Sequence, residues 1–74
     1  MKKESIHIDE RALIMYIDGT DKFKQFLLAN GLAIGTVFRY NYSPGYAGLV
    51  NLSVGNRILS LRENDFAAIE WVKI

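Results

Sequence analysis

The apolar positions of this 74-residue chain fall into short runs with two different periods. Residues 12–17 read ALIMYI, a branched and aromatic run that closes at Asp18-Gly19, the composition of a strand ended by a turn. Beyond that turn the period lengthens. In DKFKQFLLAN, Phe23, Phe26, Leu27 and Asn30 recur at spacings of three and four. This predicts an amphipathic helix with Lys22, Lys24 and Gln25 turned to water and Leu28 off the stripe. Thr20 or Asp21 can cap its start, while Gly31 stands where a left-handed ending is needed and Leu32 can pack back on the last turn.

Gly31 and Gly35 also invite a phosphate-loop reading. Such loops bring backbone N–H groups to an anion at the start of a helix. Here the glycines follow a helix, and no Lys-Ser or Lys-Thr comes after them, so they mark the end of a helix and the opening of the strand TVFRYNY. The remainder is β. Gly55-Asn56, between LVNLSV and RILSL, is a two-residue hairpin signal. Pairing Val54 with Arg57 sets Leu52 opposite Leu59 and Val50 opposite Leu61 on one face, with Ser53 against Ile58 and Asn51 against Ser60 on the other. ENDFAA then reads as one helical turn and IEWVKI as a last strand. The sum is mainly β: a small, strongly bent five-stranded barrel with one α-helix between the first two strands and a helical turn before the last.

Composition narrows the function. A chain of this length makes one domain that buries only about 60% of the surface its unfolded form exposes, and with no cysteine a hydrophobic core must hold it together. That absence favours a reducing compartment, and the cytoplasm is the expected one. Lys2 and Lys3 are followed by Glu4, Asp9, Glu10 and Arg11, and the apolar run to Ile17 is too short for a signal peptide or a bilayer span, so no membrane insertion is expected. Nine basic and eight acidic side chains alternate along the chain to a net charge of +1, unlike the clustered basic face of a nucleic-acid binder.

Nothing in the sequence supplies a catalytic constellation. His7 stands in a charged N-terminal arm near Asp9 and Glu10, without the positioned partner and pocket that a general base needs. A lone histidine with two carboxylates is also a poor set for a borderline metal, so neither a metal nor a cofactor is expected. Asp18 and Asp21 flank a helix start, where carboxylates complement the dipole, and Ser43, Ser53 and Ser60 lack a visible base.

Taken in order, the Ile-Asp-Gly turn, LLANGL, GLAIG, the LVNLSV ribbon, LSLREND and a closing Ala-x-x-x-Trp strand resemble the FeoA family. The resemblance covers residues 11–74, with residues 1–10 as a flexible arm, and rests most on Leu27, Gly31, Leu32, Gly35, Leu59, Leu61, Arg62 and Ala67. It implies an SH3-like barrel, a fold shared with the C-terminal domain of DtxR-type metal-dependent repressors. It also implies that Ala12, Ile14 and Ile17 face inward across a bulge, that Leu13 and Met15 lie outside, and that Trp71 is a core residue. Ile34 stands where the family usually has proline, which costs the link a fixed φ. The partner implied is the cytoplasmic part of a FeoB-type ferrous-iron transporter, and the role is that of a non-enzymatic adaptor.

The alternative is a stand-alone SH3-like interaction or regulatory module. The candidate contact residues are Lys24 and Leu28 on the outer helix face, Val37, Arg39 and Ile58 pointing out of the sheet, and Leu13 and Met15 as an apolar patch suited to weak self-association. In the loop from Tyr42 to Gly48, Tyr46 serves either contact or core cover, and Tyr42 is expected to cover the core.

Overall fold

The computed structural model describes residues 5–42 and 48–74. Its elements run β1 (Arg11–Ile17), α1 (Asp21–Ala29), β2 (Val37–Tyr42), β3 (Leu49–Val54), β4 (Arg57–Arg62), α2 (Glu63–Ala67) and β5 (Ile69–Lys73). The strands form one antiparallel sheet in the order β4-β3-β2-β1-β5. The architecture is therefore the expected mainly β, SH3-like one, with one difference: the sheet is not closed into a full barrel. Its two edges, β4 and β5, are joined along the chain by α2, which packs against both.

The β3–β4 ribbon has the register that its pattern predicts, with Val54 opposite Arg57, Leu52 opposite Leu59 and Val50 opposite Leu61. Gly55 takes φ +59° at the turn, a value glycine adopts without a Cβ penalty. The apolar side of the ribbon then enters the core, where Val50, Leu52 and Leu61 are buried.

Helix α1 starts where Thr20 Oγ1 accepts the Phe23 N–H at 3.1 Å. It ends in a Schellman motif: the Leu32 N–H donates to the Leu27 carbonyl at 2.8 Å and the Gly31 N–H to Leu28 at 3.0 Å, with Gly31 at φ +89°. Asn30 reinforces the ending by donating Nδ2–H to the Phe26 carbonyl at 2.9 Å. The two glycines are thus a helix stop and a turn. Ala33-Ile34-Gly35-Thr36 closes through Thr36 N–H to the Ala33 carbonyl at 3.0 Å, with φ +90° at Gly35, the third position of a type II turn. This turn is stitched to β1, since Gly35 N–H donates to the Ile14 carbonyl at 2.8 Å and Ile14 N–H to Thr36 at 2.9 Å.

Along β1, Ala12, Ile14 and Ile17 are buried, and the pairing with β5 slips between Ile14 and Tyr16. That bulge inserts one residue, so Met15 and Tyr16 both face solvent before Ile17 turns inward. The core joins Ile14, Leu27, Leu32, Phe38, Leu52 and Ile69. Trp71 packs against it, edge-on to Phe38 at 6.5 Å and stacked on Phe66 at 6.3 Å.

Two expectations need correction. Phe26 does not join the buried stripe; it is 47% exposed, and Leu27 is the only fully buried residue of α1. Lys24 is not turned fully to water but is half-buried. A nine-residue helix lying on a small sheet buries one ridge, too narrow for the whole stripe that periodicity allows. Of the ten residues assigned to an N-terminal arm, Asp9 and Glu10 lie beside β2. Asp9 N–H donates to the Tyr40 carbonyl at 2.7 Å, Tyr40 N–H to Glu10 at 2.9 Å, and Ile6 packs against the core.

Candidate functional site

The exposed side of α1 and the bulge of β1 enclose an open groove of 350 Å³ lined by Tyr16, Ile17, Lys24, Leu28, Leu32, Ala33 and Ile34. Each wall has a local cause. Lys24 and Leu28 are one helical turn apart and so share a side of α1. The bulge at Met15 turns Tyr16 outward instead of into the core. Gly31 and the type II turn then bring Ile34 alongside. Leu28 and Ile34 are 63% and 64% exposed, while buried Ile17 and Leu32 contribute at the floor.

Lys24 is the single charged residue of this lining and makes no ion pair among the described residues. Its aliphatic stem can cover apolar surface while the ammonium remains in water. The arrangement can seat an apolar side chain and pair with one carboxylate. Among the described residues its lining brings no nucleophile and base together, and what it presents is apolar surface and one ammonium.

The sequence-predicted contact residues divide between two places. Lys24 and Leu28 meet in the groove, whereas Val37 and Arg39 border a shallow hollow on the outer sheet face and Ile58, 71% exposed, lies farther along the same face on β4. Met15 is exposed at the bulge, and Leu13 is half-buried between Val37 and Val72. Tyr46 and the side chain of Tyr42 lie outside the described residues. Tyr16 and Ile34 were not singled out as contacts. Only the isoleucine at position 34, where the family resemblance leads one to expect proline, could have drawn attention to either of them.

A second polar cluster centres on Glu10. Its Oε1 accepts the His7 backbone N–H at 2.7 Å and stands 3.2 Å from His7 Nδ1 and 3.7 Å from Lys73 Nζ. The backbone bond from His7 is the main reason its carboxyl titrates below the ordinary 4.5, with Lys73 adding to the effect and partial desolvation opposing it. Among the described residues no three histidine, cysteine, aspartate or glutamate side chains are grouped to hold a metal, and no helix is long and apolar enough to cross a membrane.

No protein-family model matches the chain, and no curated protein sequence does so significantly. Solved structures do. The crystal structure of the iron uptake regulatory protein FeoA superposes with a TM-score of 0.81 at 19% identity, over 93% of this chain and 89% of that one. The chain has the FeoA fold. An FeoA-like protein from Clostridium acetobutylicum agrees, with a TM-score of 0.78 at 17% identity over 93% of this chain and 80% of that one. This chain also matches part of ScaR with bound Zn2+, with a TM-score of 0.81 at 20% identity. That match takes in 99% of this chain and 34% of the other, so the chain spans about a third of the length of ScaR. At these identities the likeness is one of fold.

Proposed function

We propose that this chain is a non-enzymatic accessory protein of ferrous-iron uptake, acting in the cytoplasm, and that it docks on the cytoplasmic part of a FeoB-type transporter through the groove between α1 and β1. The observation that carries this reading is the groove itself: an apolar trough on a domain of FeoA fold, with one lysine that makes no ion pair among the described residues. Docking assists transport by favouring one conformation of the transporter's GTP-binding region, which requires that the chain bind two states of that region unequally. A second reading, an SH3-like interaction or regulatory module of the kind appended to metal-dependent repressors, draws on the match to ScaR.

Ferrous-iron uptake in cells deleted for this chain tests the proposal. Uptake falls on deletion, returns with the wild-type chain and does not return with Leu28→Glu. Uptake that is indifferent to the deletion overturns the adaptor role and leaves the regulatory reading.

A further inference from the structure

The outer face of the sheet carries a feature that the groove does not use. Arg11 on β1 stands directly opposite Arg39 on β2. Tyr40 N–H donates to the Glu10 carbonyl and Ile14 N–H to Thr36, and hydrogen-bonded pairs recur every second residue. Arg11 and Arg39 therefore occupy a non-hydrogen-bonded pair, the closer kind, with Cα atoms about 4.5 Å apart. Both side chains are exposed, since their neighbours Ala12 and Phe38 point into the core. Like charges in this position destabilise a sheet unless something neutralises them. Nothing described does. The ion pairs among the described residues are His7–Glu10 and Lys73–Glu10, and Lys73, opposite Ala12, is on the inward-facing register.

The pair borders a hollow of 230 Å³ that also takes in Val37, Ser53 and Gly55. Two residues along the strands, Leu13 stands opposite both Val37 and Val72, which makes an apolar row across β2, β1 and β5. Val37 and Val72 are each at least two-fifths exposed. A guanidinium pair beside an apolar row is complementary to carboxylates beside an apolar side chain.

We propose that this face is a second docking surface, independent of the groove, for an extended acidic segment of a protein partner. Its carboxylates bond Arg11 and Arg39, and an apolar side chain two residues away rests on the row at Leu13. Two residues of extended chain span about 7 Å, the same step that separates the two rows. The adjoining apolar row favours a protein segment over a phosphate polymer, which would leave that row uncovered.

The test is an amide chemical-shift titration of the full chain with the peptide acetyl-Glu-Ser-Leu-Ser-Glu-amide, whose glutamates and leucine share one face when extended, with inorganic phosphate and with vesicles of anionic lipid. The peptide is expected to shift residues 11, 13, 37, 39 and 53, less so as salt rises. Binding is expected to drop about tenfold or more in the folded Arg11→Gln/Arg39→Gln double variant, as loss of a charged contact pair does. Arg39→Lys retains part of the affinity, and Leu28→Glu, in the groove, retains all of it. Absence of shifts at millimolar peptide, shifts confined to α1, an unaffected double variant, or equal shifts from phosphate or vesicles alone would each overturn the proposal.

Discussion

Lys24 and Leu28 sit one helical turn apart on α1 and border the same groove as Tyr16 and Ile34, residues that follow from a bulge and a turn rather than from the helix. Leu28 is 63% exposed, so its side chain holds little of the fold together. Leu28→Glu should change stability by no more than about 0.5 kcal/mol, as surface substitutions usually do. Denaturant unfolding checks this, and a midpoint lowered well beyond that amount would show that Leu28 is structural.

Arg39→Glu converts a like-charge pair with Arg11 into an opposite-charge pair. Cross-strand pairs of opposite charge contribute roughly 0.2–1 kcal/mol, so the variant is expected to melt at a higher temperature than the wild type at low salt, with the gain shrinking as salt rises. An equal or lower melting temperature would mean that the two guanidinium groups already avoid each other.

Ile34 occupies the second position of a type II turn closed by Thr36 N–H and the Ala33 carbonyl. Proline is favoured there, and its fixed φ narrows the unfolded ensemble. Ile34→Pro is expected to stabilise the domain by about 0.4–1 kcal/mol. For a chain of this size that is a melting temperature higher by roughly 2–8 °C. A destabilised variant would show that Ala33 cannot accept the backbone restriction that a following proline imposes.

Glu10 predicts a pH dependence whose sign follows from its depressed titration. The His7 backbone N–H, together with Lys73, favours the folded carboxylate over the unfolded one. This contribution is present above the unfolded value of 4.5 and is lost as pH falls through the lower folded value. Melting curves of wild type and Glu10→Gln between pH 7 and pH 3 should therefore converge as acid is added, about as linkage requires. Curves that stay parallel over that span would remove Glu10 as a source of acid sensitivity.

The parts of the fold set by short-range chemistry were legible in the sequence. Gly55-Asn56 and strict alternation fixed the pairing of Val50 with Leu61 and Leu52 with Leu59, because a one-residue slip would turn both rows over. Gly31 announced the end of α1, and the bulge after Ile14 came from family resemblance. Phe26 was misplaced because periodicity tells which residues share a helix face but not how much sheet lies beneath them. The groove was half legible. Lys24 and Leu28 were visible as neighbours on a helix, while Tyr16 reaches it only through the bulge and Ile34 only through the turn, neither of which a helical pattern contains. The facing of Arg11 and Arg39 depends on the β1–β2 register, and no tight turn joins those strands to set it.

The most direct measurement of the central claim is a calorimetric titration of this chain into the cytoplasmic GTP-binding domain of the ferrous-iron transporter from the same organism, with GDP and with a non-hydrolysable GTP analogue. The account predicts saturable binding that differs between the two nucleotides and weakens about tenfold or more with Leu28→Glu, as loss of a central apolar contact does. Binding that is equal in both nucleotide states and untouched by Leu28→Glu, or no binding at all, would contradict it.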